Sequence, residues 1–350
     1  MKIQNFKSEK HADRARVSAT VIWEDRNRPA HDLYFETTAD FAEDLDCNPH
    51  AFLVGSLMTA LRFGEKRIAI DAEVCPQLLE GLFTAMSWIR HWEGQNLPVV
   101  TIEAKPQRGT PVKRSPERAG VCYSGGIDSL GTLRNNRLKY PSSHPLSFKD
   151  GLLIHGLADT TLDSYERAVS KLSPVADDAQ ITLIPVYTNL YHYVKDLQDS
   201  EYTFLRFYLT SSALSAVGHA FHKRLTSLSM SASDEICNIT DMSLWGTHPV
   251  LDYNYSSYDL QIHHADVALS RLEKTRLVAG WDVALQNLRV CNDLHLPAGY
   301  LNCGKCRKCT ITMTTLLALG VLHKTNVFPV QNLSGPMVLE GANPQFADEV

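Results

Sequence analysis

The apolar positions of this chain change their rhythm near residue 105. Before that point, short apolar runs at Arg16–Trp23, Asp32–Thr37, Lys66–Ala72 and Val99–Ala104 read as strands. Between them, Pro49–Phe63 places Leu53, Leu57 and Leu61 at i, i+4 and i+8, the repeat of a helix with one buried face. A second helix is predicted from Pro76, a residue suited to the first helical turn, to about Trp92. Its stripe holds Leu79, Leu82, Phe83, Met86 and Ile89. Residues 1–104 are therefore expected to form a small α+β domain. It carries no recognisable chemical motif, and a scaffold or partner-binding role is expected. Cys47 and Cys75 stand alone and read as packing residues.

Lys105–Arg118 holds three prolines, one glycine and five basic residues without apolar periodicity. It reads as a solvated linker, with a phosphate- or nucleic-acid-binding arm as the alternative. From Ala119 onward strand and helix alternate. Strands are predicted at Gly120–Tyr123, Gly151–His155, Ile181–Tyr187, Leu225–Met230 and Leu288–Cys291, with helices over 128–138, 161–172, 203–222 and 265–280. That alternation builds a mostly parallel sheet covered on both faces. The expected fold is thus α/β: a doubly wound, five-stranded domain over 119–323, preceded by the N-terminal unit and followed by a tail over 324–350. In such sheets ligands sit beyond the C-terminal strand ends, where the strand order reverses.

Bulk properties narrow the setting. The 350 residues leave room for two domains, and 44% hydrophobic with 21% charged residues is the composition of a soluble protein. No apolar run is long enough for a membrane span. Met1–Lys7 has no apolar h-region, so a cytoplasmic location is expected. A formal net charge of −5 does not favour nucleic acid as a partner. Eight cysteines in a reducing compartment point to thiols or metal ligands rather than disulfides.

Two motifs carry chemistry. The first is Ser124-Gly125-Gly126-Ile127-Asp128-Ser129, with an apolar strand before it and a helix start after it. Glycines let the backbone approach an anion, serines add hydroxyl donors, and the helix offers its free N–H groups and positive dipole end. There is no Gly-x-x-x-x-Gly-Lys-[Ser/Thr] run, so a Walker A loop is not the explanation. The second is Cys291 with Cys303-Gly304-Lys305-Cys306-Arg307-Lys308-Cys309. Cys-x-x-Cys lets two thiolates reach one ion, and the other two sulfurs complete a tetrahedral site of the structural zinc type. An iron–sulfur cluster uses the same ligands and stays open.

The first motif resembles the Ser-Gly-Gly-x-Asp-Ser signature of the PP-loop ATP pyrophosphatase superfamily at every fixed position. Paired with the C-terminal cysteines, it is similar to the 7-cyano-7-deazaguanine synthase branch over residues 119–320. The resemblance implies an ATP-binding loop at Ser124–Ser129 with His155 nearby, and Mg²⁺ beside Asp128. It implies catalytic roles for Asp128, Ser129 and Lys274, zinc on Cys291, Cys303, Cys306 and Cys309, and release of AMP and pyrophosphate. The loops His155-Gly156, Thr188-Asn189 and Ser231–Asp234 would face adenosine or substrate. Arg206, Asp234 and His248 are the substrate candidates, and His263 and His264 are further contacts or bases. The substrate implied is a small carboxylated heterocycle or a protein partner, and a homodimer stays open. Synthase-like chains with an added N-terminal region also occur in antiphage operons. Where the branch carries an Asp-x-x-Gly-Tyr-Pro-Asp-Cys-Arg type segment, this chain reads Trp245-Gly246-Thr247-His248-Pro249-Val250-Leu251-Asp252. The alternatives are a tRNA-thiolating enzyme and a non-catalytic ATP-binding scaffold.

Overall fold

The computed structural model describes the chain except for residues 109–115, 158–160, 192–198, 234, 236–245, 292–295, 331–332, 334 and 336–350. The side chains of 199–203, 206 and 207 are outside the description as well. The N-terminal elements are β1 (Lys2–Lys10), β2 (Arg14–Ile22), β3 (His31–Thr38), α1 (Pro49–Phe63), β4 (Arg67–Val74), α2 (Pro76–Trp92) and β5 (Thr101–Pro106). Then follow β6 (Ala119–Cys122), α3 (Ile127–Lys139), β7 (Phe148–His155), α4 (Leu162–Asp178), β8 (Thr182–Thr188), α5 (Asp199–Ala220) and β9 (Ser227–Ser231). The last are α6 (Pro249–Asp252), β10 (Gln261–Ala265), α7 (Arg271–Ala279), α8 (Asp282–Leu285) and α9 (Arg307–Ala318).

Local signals set the two N-terminal helices. Each starts at a proline, the Asn48 side chain caps α1 by accepting from the His50 N–H, and α1 stops at Gly64 in the left-handed region. β1 escaped the pattern because Asn5 has a positive φ and the register slips between Gln4 and Lys7. That bulge destroys the strict alternation by which a strand is read.

All ten strands form one sheet in the order β10-β9-β6-β7-β8-β3-β2-β1-β4-β5. The expected five-stranded parallel sheet is therefore half of a larger, mostly parallel one. Its strands β10-β9-β6-β7-β8 run parallel, and β3 pairs antiparallel with β8 through Phe35↔Thr188, Glu36↔Tyr187 and Thr37↔Val186. The fifth parallel strand is β10, not Leu288–Cys291. The helix expected from residue 265 begins only at Arg271, because 261–265 extend beside β9. Apolar cores cover both faces: one gathers α1, α2 and α5, the other α3, α4, α7, α8 and α9. Among the described residues no helix is long and apolar enough to cross a membrane.

The end of the expected linker is anchored to the sheet although it stays partly exposed. Arg118 donates from Nε and Nη2 to the fully buried Asp150 at 2.5 and 2.8 Å, and Arg224 donates to the same carboxylate at 2.9 Å while reaching Asp44. Removing this buried carboxylate strands the Arg118 guanidinium and leaves Arg224 with Asp44 alone. Asp150→Ala should lower the unfolding free energy by about 3 kcal/mol in urea titrations. A change within about 0.5 kcal/mol, the range of ordinary surface substitutions, would contradict this account.

Two histidines at the α1–α5 contact titrate with the fold. His50 Nε2 accepts from the Cys75 N–H at 3.0 Å, and His219 Nε2 meets the Tyr255 carbonyl at 2.8 Å. Burial pushes His50 down to about 3 and His219 down to about 4. Both are neutral in the folded chain, whereas the unfolded chain protonates them near pH 6.5. Their contribution to stability is complete above about pH 6.5 and is lost as pH falls toward the folded values, by up to ~1.4 kcal/mol per pH unit for each ring. Melting temperature should drop between pH 7 and 5, and His219→Gln should flatten that slope. An identical slope in the variant would refute the assignment.

Candidate functional site

The glycine loop turns out of β6 at its C-terminal end and feeds directly into α3. Gly125 sits at φ 79°, and a Cβ there would lie 2.6 Å from the Leu172 side chain, so only glycine fits. The two serines fasten the turn. Ser129 Oγ lies 3.1 Å from Ser124 Oγ, receives the Ser124 N–H at 3.3 Å and donates to the Gly126 carbonyl at 3.2 Å. The Gly126 N–H donates to Ser124 Oγ at 3.3 Å. Gly126 is the N-cap of α3 and no side chain caps that helix, so its first-turn N–H groups face outward at the positive dipole end. Ile127 itself points into the core. This is the arrangement of an anion site.

Asp128, in the first turn, receives the Arg271 guanidinium at 2.9 and 3.1 Å. Arg271 opens α7, where Ser270 and Glu273 form a capping box. α7 lies close against α3 because residue 131 is glycine: a Cβ there would sit 2.8 Å from the Lys274 Cβ. Lys274 is fully buried and its ammonium donates to the Ala232 carbonyl at 2.5 Å, just past β9. Asp128, Arg271 and Lys274 thus gather at the C-terminal ends of β6 and β9. That is where the strand order reverses, since β7 and β8 lie on one side of β6 and β9 and β10 on the other. Arg271 was not singled out from the sequence. Its signal is Ser-x-x-Glu at 270–273, which starts a helix there and puts residues 271 and 274 on one face.

His155 ends β7, with its ring 5.0 Å from Tyr165 and 6.0 Å from Tyr187 between centroids. The next residue, Gly156, holds φ 96° with Thr188 O only 1.8 Å from a would-be Cβ. Thr188-Asn189 serves the sheet instead of a ligand. Asn189 accepts from Tyr34 N–H and donates to Asp32 O, and Thr188 donates to Tyr34 O. Ser231 ends β9 with a buried Oγ that has no hydrogen-bond partner among the described residues. Asp234 and the side chain of Arg206 lie outside the described residues.

The histidines separate by role. His248 is the N-cap of α6: Nδ1 accepts from Val250 N–H at 3.1 Å and the ring meets Trp92 edge-on at 5.0 Å. Burial lowers its pKa, so this substrate candidate is a neutral helix cap. His264 Nδ1 is 2.8 Å from Asp252, a fully buried carboxylate that also accepts from Ser211 Oγ and His248 N–H. His263 points to the opposite face, beside Ser229 and Thr132, in a groove along α3.

The four cysteines converge. All four sulfurs lie within 4.8 Å of one another, with Cys291–Cys306 at 3.7 Å and Cys303–Cys309 at 4.0 Å. Sulfurs at about 2.3 Å from a tetrahedral zinc stand about 3.8 Å apart, so the donor set fits such an ion. The Cys306 N–H donates to Cys303 Sγ at 3.2 Å, and Gly304 turns the knuckle at φ 75°. Hydrogen bonds from Cys291 and Cys309 pull the Cys306 thiol down to about 4. Cys291 reaches the site from a segment that pairs with none of the described strands. Asn302 Oδ1 accepts the Val290 and Cys291 N–H groups, Asn302 Nδ2 donates to Leu288 O, and the Arg289 N–H donates to Gly125 O.

Comparison with protein-family models, curated proteins and solved structures finds no match to this chain.

Proposed function

We propose that this chain is an ATP-dependent enzyme that forms AMP and pyrophosphate, of the PP-loop type and similar to 7-cyano-7-deazaguanine synthase. The observation that carries the reading is the uncapped start of α3 behind a glycine loop, with Asp128, Arg271 and Lys274 grouped at the reversal of strand order. First-turn amides and the Ser124 and Ser129 hydroxyls would receive the phosphates. Asp128 would hold Mg²⁺ on them, which supplies charge neutralisation of the departing group. A carboxylate or amide oxygen of the acceptor attacks the α-phosphorus, the bond to the bridging oxygen breaks, and pyrophosphate leaves with that electron pair. The Lys274 ammonium, buried on the Ala232 carbonyl past the end of β9, would add its charge to the field that stabilises the departing group. The acceptor is a deazaguanine-type heterocycle or a protein partner.

Convergence of all four sulfurs on one point supports a closed structural metal site, zinc by donor chemistry, over the free reactive cysteine that thiolation needs. The test supplies α-labelled ATP with Mg²⁺ and carboxylated 7-deazapurines or candidate partner proteins. Labelled AMP with stoichiometric pyrophosphate is the expected result. ADP as product would overturn the reading, and tight ATP binding with no AMP under any addition would favour a non-catalytic scaffold.

A further inference from the structure

The segment Leu288–Cys291 joins two features that nothing in the sequence connects. At one end, the Arg289 N–H holds the Gly125 carbonyl at 2.8 Å, and Arg289 O lies 3.5 Å from where a Cβ on Gly126 would be. At the other, Cys291 is the first of the four metal-type ligands. The segment has no ladder partner among the described strands. Its backbone is tied by Asn302, whose side chain holds Leu288 O, Val290 N–H, Cys291 N–H and Val327 O, and Asn302 immediately precedes Cys303. Both fastenings of the strap therefore end in cysteines of the cluster. With a metal in place, Cys291 and Cys303 are locked to one ion and the strap is a closed loop. With no metal, a single amide side chain carries it.

The Arg289 side chain is half-buried and lies within electrostatic range of Tyr165 and of Cys291. No carboxylate pairs with it among the described residues, whereas Arg271, on the other side of the loop, is paired with Asp128. An arginine whose backbone grips the glycine turn and whose guanidinium has no carboxylate partner among the described residues is suited to receive an anion held on that loop.

We infer that Arg289 is a phosphate-binding residue of the nucleotide site, and that the metal on the four cysteines positions both Arg289 and the Gly125 turn. The metal is then part of the nucleotide site's architecture as well as of the C-terminal fold. The ligand class, the polyphosphate of a nucleotide or free pyrophosphate, rests on the function proposed above; the mechanical link does not.

Two measurements test the two halves. Hydrogen–deuterium exchange compares metal-loaded and chelator-stripped chain over residues 121–130. Exchange at 124–129 should rise on stripping, and equal exchange would overturn the link. Should stripping unfold the whole chain, Asn302→Ala, which keeps all four cysteines, decides by the same comparison. Titration with α,β-methylene-ATP and with pyrophosphate tests the anion role. Arg289→Gln keeps the backbone N–H, so it should retain full metal content and the exchange pattern while binding both ligands at least tenfold more weakly, about the value of a charge-assisted hydrogen bond. Arg289→Lys should recover part of that loss, and adenosine binding should not change. Wild-type affinity in Arg289→Gln would overturn the anion role. If the wild-type chain binds neither ligand, the proposed function and the anion role fall together, and the exchange result still judges the link.

Discussion

Asp128→Asn should lower pyrophosphate release from ATP by on the order of a thousandfold while the chain stays folded, because in the proposed function it removes a charge beside the phosphates. Asparagine keeps the size of the side chain and one acceptor oxygen for Arg271. The ion pair it breaks is partly solvated, with the carboxylate 25% and the guanidinium 37% exposed, so the cost to stability should stay below about 1 kcal/mol. The carboxylate pairs with Arg271 in this structure, and in the proposed function it would release that arginine to hold Mg²⁺. Arg271→Gln separates the two roles. If Asp128 acts by carrying the metal, Arg271→Gln keeps substantial turnover and its defect is partly offset by raised Mg²⁺. If Asp128 only anchors α7, the two variants lose activity equally and Mg²⁺ has no effect. Asp128→Asn with wild-type turnover would remove this residue from the mechanism.

Cys303→Ser should purify without its metal and lose about 5 kcal/mol of stability, at the upper end for a single substitution. Cys303 and Cys309 are buried with Met313, Leu316, Leu322 and Phe328 in the core that also holds Leu130 and Leu133 of α3. An unligated, charged cluster of thiols there cannot be solvated, and the core that α9 completes would open. Metal analysis by mass spectrometry should give about one zinc per wild-type chain, the stoichiometry of a four-sulfur site, and essentially none in the variant. Brown protein containing iron and sulfide would replace zinc by a cluster on the same ligands. An unshifted melting curve in Cys303→Ser would show that the sulfurs converge without holding an ion.

Much of the local structure was legible. α1 and α2 match their expected bounds, because a proline at the first turn and a stripe at helical spacing are statements about neighbours in sequence. The cysteine cluster was legible for the same reason, three of its ligands lying within seven residues. The misplaced fifth strand has a physical cause. Leu288–Cys291 is apolar and extended, but its hydrogen bonds go to Asn302 and Gly125 rather than to a strand. β10 looks less like a strand because its centre is His263-His264, and the Nδ1 of His264 is held by the buried Asp252. His248 was read as a substrate contact because capping by a histidine ring leaves no motif.

By itself, the sequence determined most of the helices and strands, though not β1 or β10, together with the glycine turn at the start of α3 and the set of sulfurs, since each is encoded by spacing over a few residues. The tertiary structure alone decided that the described strands form one ten-stranded sheet, that Asp128 faces Arg271, and that the segment leading to Cys291 is hydrogen-bonded to the glycine loop through the Arg289 N–H. Those contacts join residues more than a hundred positions apart, as β3 with β8 and Gly125 with Arg289 do. Such pairings follow from how whole faces bury their apolar surface, and no local pattern records which faces will meet.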